Sequence, residues 1–241
     1  MSYQQGYQQR QQAMAPIHRD QGAFPGGAYS IAHRDTNTLL NIELQHGAIV
    51  RSKPGAMIHM SSTVELSGKS KFSLGKLFTG DSLFESSYAG PGRVALAPTL
   101  FGDIITLHVD GQQSWTIGKD VFLACTSDIA KKRETQGLGK ALFSGESLFV
   151  YTIEGRGIMW LTSFGAVERL DLRPGEEHIV DNGHLVAWSC NYAVEKAGGT
   201  AKTGLTTGEG LVCRFTGPGS IYIQTRNMAD FQLFIKETAA S

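Results

Sequence analysis

The chain has 241 residues with 22 basic and 22 acidic side chains, so its formal net charge is zero. The clustered positive excess that marks nucleic-acid binding is missing. No apolar run reaches the roughly 18 residues of a membrane span, and Cys125, Cys190 and Cys213 lack C-x-x-C spacing and read as small buried hydrophobes of a reducing compartment.

Residues 1–23, MSYQQGYQQRQQAMAPIHRDQGA, are rich in Gln and poor in apolar side chains. Such a segment cannot bury enough surface to offset the entropy of ordering it, and a disordered tail is expected. Arg10 and Arg19 precede the first acid, Asp20, as in a transit peptide, but the Arg- and Ser-rich amphipathic pattern is missing. Residues 24–238 predict a single all-β domain. Short β-branched and aromatic runs at 42–44, 104–109 and 221–224 alternate or bury both faces. They are separated by Pro54-Gly55, Gly90-Pro91-Gly92, Pro174-Gly175 and Gly217-Pro218-Gly219, whose glycines supply the positive φ that tight turns require. One stretch, 127–136 (SDIAKKRETQ), is read as a helix with Ser127 as its cap, or else as a loop.

Two stretches invite an enzymatic reading. FTGDSLFES (78–86) contains the GDSL signature of a serine esterase family, with Ser82 as nucleophile, and Asp181-Asn182-Gly183-His184 has the D-x-x-H form that activates it. A nucleophilic serine must be singular, on one turn beside one base. Here the phrase recurs: LGKLFTGDSLF (74–84) is followed by LGKALFSGESLF (138–149) and by TGLTTGEGLV (203–212), where Ser82 and Ser147 give way to Gly210. Gly175 to Asn182 fits G-x-x-H-x-x-x-N and resembles the second motif of the cupins, which would make His178 a metal ligand. The chemistry needs further imidazoles and a carboxylate, yet no two histidines stand two apart, and His46 and His59 are isolated. Trp115, which aligns with His178, and Trp160 and Trp188 are read as packing residues. No catalytic, cofactor-binding or metal-binding residue is assigned, and no cofactor is expected.

The repetition extends further. Gly80, Gly145 and Gly208 lie 65 and 63 residues apart. AGPGRVAL (89–96), EGRGIMWL (154–161) and TGPGSIYI (216–223) place Gly92, Gly157 and Gly219 at intervals of 65 and 62. Between them recur ELQHGAIVRSKPGAMIHM (43–60), HVDGQQSWTIGKDVFLA (108–124) and DLRPGEEHIVDNGHLVA (171–187). The expected fold is therefore all-β, with antiparallel sheets packed as a sandwich or double-stranded β-helix-like domain of three pseudo-repeated modules of about 64 residues. Alignment on the glycines matches Met159 and Leu161 with Val94 and Leu96, although Ile158 and Trp160 are equally apolar. That stretch needs a bulge, or burial on both faces.

In order and in number these phrases resemble the family of fungal altered-inheritance-of-mitochondria proteins and their bacterial relatives, over about residues 27–236. The resemblance implies a β-fold similar to that of the tryptophan RNA-binding attenuator protein, a tendency to self-associate, and neither an established activity nor agreed catalytic residues. Fungal members are tied to mitochondria and inner-membrane organisation. The expected function is a non-enzymatic scaffold or adaptor acting through protein–protein contacts. It would be a homo-oligomer that binds no nucleic acid and has no transmembrane segment, with peripheral membrane contact allowed. Its location would be mitochondrial, with the cytoplasm as the alternative. A cupin-like metal-dependent enzyme is the contrasting reading, and a GDSL-type serine esterase the remote one.

Overall fold

A computed structural model describes residues 20–69, 85–136, 148–197 and 211–239. The first third of the chain carries β1 (Gln21–Phe24), β2 (Gly27–Ala32), β3 (Leu39–Leu44), β4 (Ile49–Ser52), β5 (Met57–Met60), β6 (Glu65–Lys69), β7 (Glu85–Ala89) and β8 (Gly92–Leu96). The second carries β9 (Ile104–Val109), β10 (Trp115–Gly118), β11 (Phe122–Thr126), β12 (Ile129–Gln136), β13 (Leu148–Gly155) and β14 (Gly157–Thr162). The last carries β15 (Val167–Leu172), β16 (Glu177–Asp181), β17 (Leu185–Trp188), β18 (Asn191–Lys196), β19 (Leu211–Thr216) and β20 (Gly219–Gln224), followed by the helix α1 (Met228–Ala239). The strands form four antiparallel sheets, ordered β1-β2-β3-β8-β5, β6-β7-β4-β11-β14-β9, β12-β13-β10-β17-β20-β15 and β16-β19-β18.

Gly92, Gly157 and Gly219 each open a strand, at φ +142°, +148° and +150°, where an L side chain is strained. β8 pairs with β3 so that Gly92 faces Leu44, β14 with β9 so that Gly157 faces Val109, and β20 with β15 so that Gly219 faces Leu172. The other flank of each strand meets β5, β11 or β17, and in each pairing the register shifts, between Met57 and His59, Phe122 and Ala124, and Leu185 and Ala187. The extra residue of such a shift bends the strand and re-aims its side chains.

Three apolar clusters lie between successive sheets. Leu40, Ile42, Val94 and Leu96 meet Ile158 and Trp160 in the first. Met159 and Leu161 turn into the second, with Trp115, Ile117 and Tyr222. Trp188, Phe215, Cys213 and Ile221 belong to the third. Both faces of β14 are therefore buried, and its run of apolar residues needs no change of face. Trp115, Trp160 and Trp188 are all core residues.

Two expectations are corrected. Residues 129–136 are strand β12, paired along its length with β13, rather than a helix. Ile129 and Lys131 point inward while Ala130 and Lys132 are exposed. A buried lysine in an inward position hides the period of two that marks a strand. The end of the chain, in turn, is the helix α1 rather than strand. Asn227 caps it, its Oδ1 accepting from Ala229 N–H at 2.9 Å, and Asp230 and Lys236 suit its dipole. At the other end β1 begins at Gln21, three residues before the expected start of the domain.

Candidate functional site

Ser82 and its counterpart Ser147 lie outside the described residues. Asp181 and His184 are close in sequence but engaged separately. Asp181 Oδ1 accepts from Gly183 N–H at 2.7 Å, capping the 3-10 turn Asn182–His184. His184 Nδ1 donates to the Gln224 carbonyl at 2.7 Å. The Gln224 side chain closes the loop, donating to the Gly183 carbonyl at 3.1 Å and accepting from Phe164 N–H at 2.9 Å. These bonds buckle the turn onto the end of β20 and leave the two side chains without the mutual contact an acid–base pair needs.

His178 sits on β16 opposite Phe215 with its side chain exposed. His46 and His59 are also exposed. Among the described residues, no group of three His, Cys, Asp or Glu side chains is placed to hold a metal ion. The three thiols are buried, and burial pushes Cys125 up to about 11 and Cys213 up to about 12, so both are held as thiols rather than as nucleophilic thiolates.

One polar cluster joins strands of three different stretches. Arg51 on β4 donates to Glu85 Oε2 on β7 at 2.7 Å, and also to the carbonyls of Ile129 and, at 3.3 Å, Ser127. Lys131 on β12 reaches Glu85 Oε1 at 2.8 Å and lies 3.0 Å from the Phe122 ring centroid. Burial lowers the Lys131 pKa, and Glu85 works against that shift. Two cations thus take both oxygens of one carboxylate, which makes a tie between sheets rather than a base facing a substrate. Sequence could not reveal it, because Arg51, Glu85 and Lys131 are far apart in the chain and no spacing links them.

The surface carries the remaining features. The outer face of the first sheet holds an open depression of about 430 Å³ whose lining includes Ser30, Asn41, Glu43, His59 and Arg93. Glu43 and Arg93, partners on the adjacent strands β3 and β8, stand 3.7 Å apart in it, both largely exposed. Along its margin β5 exposes Met57 and Ile58, and elsewhere Leu66 on β6 and Ile179 on β16 are about half exposed. Leu233, Phe234 and Ile235 of α1 are exposed too, while Phe231 anchors the helix edge-on against Phe164 at 5.2 Å. The sheet order places Ile58 and Ile179 on the outermost strands of their sheets among the described residues. An arrangement of apolar edges beside a polar, charge-paired face is suited to macromolecular contact.

Residues 29–226 match the family model described as Mitochondrial biogenesis AIM24. The uncharacterized protein M6_Spy0233 of Streptococcus pyogenes serotype M6 is 36% identical over 210 residues, covering 80% of this chain and 83% of that protein. The crystal structure of protein SPYM3_0169 from Streptococcus pyogenes superimposes with a TM-score of 0.72 at 29% identity, over 87% of this chain and 98% of that one.

Proposed function

Since the chain belongs to the Mitochondrial biogenesis AIM24 family, we propose that it is a non-enzymatic scaffold or adaptor, self-associating and acting through protein–protein contacts. The observation that carries this reading is the set of apolar side chains left outside on β5, β6, β16 and α1. Isolated exposed hydrophobics are ordinary, but apolar residues along strand edges mark association sites. The subunit is read as three modules of about 64 residues, supported by the like register of Gly92, Gly157 and Gly219 against Leu44, Val109 and Leu172. In a mitochondrion the role would be organisation of the inner membrane. The two relatives named above come from Streptococcus, so the shared role is assembly itself and the compartment follows from the host.

Three measurements on the full chain test the reading. Light scattering should give a mass above the 26.1 kDa of one chain. Short-chain esters should not be turned over, and elemental analysis should find no stoichiometric metal. Ester hydrolysis that vanishes in Ser82→Ala would install the esterase instead, and metal lost in His178→Ala would install the cupin-like enzyme.

A further inference from the structure

We propose that copies of this chain join head to tail, β16 of one copy adding as a strand beside β5 of the next. The proposal rests on the self-association reading and names the surface that performs it.

The chain makes this kind of junction twice within itself. β4 lies beside β11, with Ser52 opposite Ala124 and Arg51 opposite Cys125. β10 lies beside β17, with Ile117 opposite Ala187 and Thr116 opposite Trp188. The participants are like-placed. β5, β11 and β17 each flank a glycine-led strand with a register shift. β4, β10 and β16 each flank the strand that precedes that glycine, with Val50 opposite Tyr88, Trp115 opposite Ile153 and His178 opposite Phe215. In both junctions a strand of the second kind takes a strand of the first kind from the following third of the chain. By the same rule β16 has no follower and β5 no predecessor. Among the described residues, each is the last strand of its sheet.

The side chains agree with this vacancy in the pattern. Leu123 and Val186, at the register shifts of the two formed junctions, are 1% and 0% exposed, whereas Ile58 in the same place is 60% exposed. Met57 is exposed where Phe122 and Leu185 are buried. At the first junction Arg51 stands opposite Cys125, and Glu85 on β7 and Lys131 on β12 flank them, completing the charged tie described above. The like-placed residues are Ile179 on β16 and Met60 on β5, flanked by Val212 on β19 and Leu66 on β6, all apolar, with Ile179 and Leu66 about half exposed. Carrying the register over sets Val180 opposite His59 and Ile179 opposite Met60. Glu43 and Arg93 supply a polar rim. Among the described residues each chain has one such edge of each kind, which makes the contact heterologous, so that it closes into a ring or runs on.

The test uses the full chain. Wild type should have a mass that is a multiple of 26.1 kDa. Ile58→Lys changes an exposed residue and should keep the wild-type circular dichroism while reducing the mass to that of one chain. Ile179→Lys, on the opposite lip, should do the same and serves if the first variant misfolds. Chains carrying His59→Cys mixed with chains carrying Val180→Cys should form a covalent heterodimer on oxidation. If wild type is oligomeric but both lysine variants keep its mass and no mixed disulfide forms, this junction is wrong and self-association stands. A monomeric wild type overturns both. A disulfide that forms only inside the doubly substituted chain overturns the proposal in favour of closure of β5 onto β16 within one molecule.

Discussion

Lys131 and Glu85 meet at 2.8 Å from strands of two different sheets, with the lysine side chain only 4% exposed. Removing Glu85 leaves the lysine charge buried and Arg51 without its carboxylate. Glu85→Ala should therefore cost about 3–5 kcal/mol, the range for breaking one side of a buried ion pair. Because an apolar replacement of both partners escapes the desolvation penalty, Glu85→Val combined with Lys131→Met should recover most of that loss. Denaturant melts of the two single variants and the double variant check this, and additive losses would show that the two residues are not coupled.

Substitution of Gly157 should be costly for two separable reasons. Its φ of +148° strains any L side chain, and an added Cβ would stand 2.1 Å from Thr126 Oγ1. That oxygen accepts from Ile158 N–H at 3.1 Å, so it cannot move without losing the bond that starts β14. Gly47 has φ +77° and open space around it. Gly47→Ala should thus lose only the strain, about 1 kcal/mol, and Gly157→Ala distinctly more. Equal melting temperatures would remove the crowding argument.

Alkaline stability should reflect the buried thiols. Burial raises Cys125 from its ordinary 9.0 to about 11. Between those values the unfolded chain has released the proton and the folded chain still holds it, so stability falls as pH rises; below that window the thiol contributes nothing. Lys131 acts oppositely, because its folded pKa is lowered and the cost of burying its charge is relieved as pH climbs toward 10.5. Cys125→Ala should flatten the alkaline limb by up to about 1.4 kcal/mol per pH unit. Melting curves of the variant and wild type across that limb decide it, and parallel limbs would clear the thiol.

Phe231→Ala should free α1 from Phe164 without disturbing the sheets. The helix has no buried residue of its own, and the edge-on contact of Phe231 with Phe164 anchors it. Hydrogen exchange should accelerate over 228–239 while β14 and β20 keep their protection. Unchanged exchange in the helix would mean that other contacts hold it.

What the sequence disclosed followed from local constraint. Gly92, Gly157 and Gly219 were legible because positive φ narrows the choice of residue, and the strands they open were legible from the apolar runs behind them. β12 was misread because Lys131, polar in the alphabet, occupies an inward position that only Glu85 and Phe122 make tolerable. The helix α1 had its signals in Asn227, Asp230 and Lys236, but its apolar residues Phe231 to Ile235 run without the spacing of one face. The surface was least visible. Ile58 and Leu123 are alike in pattern and opposite in exposure, and the difference lies in which strand stands beside each one.

Along β14 consecutive side chains serve different interiors, Ile158 and Trp160 one, Met159 and Leu161 the next. Adjacent residues on a strand are about 3.3 Å apart, so a shift that repacks one interior displaces the side chains of the other through the same backbone. Neither layer can loosen alone. The molecule should melt across these sheets in one cooperative transition, as a stack of plates shears when the plate in the middle is pulled.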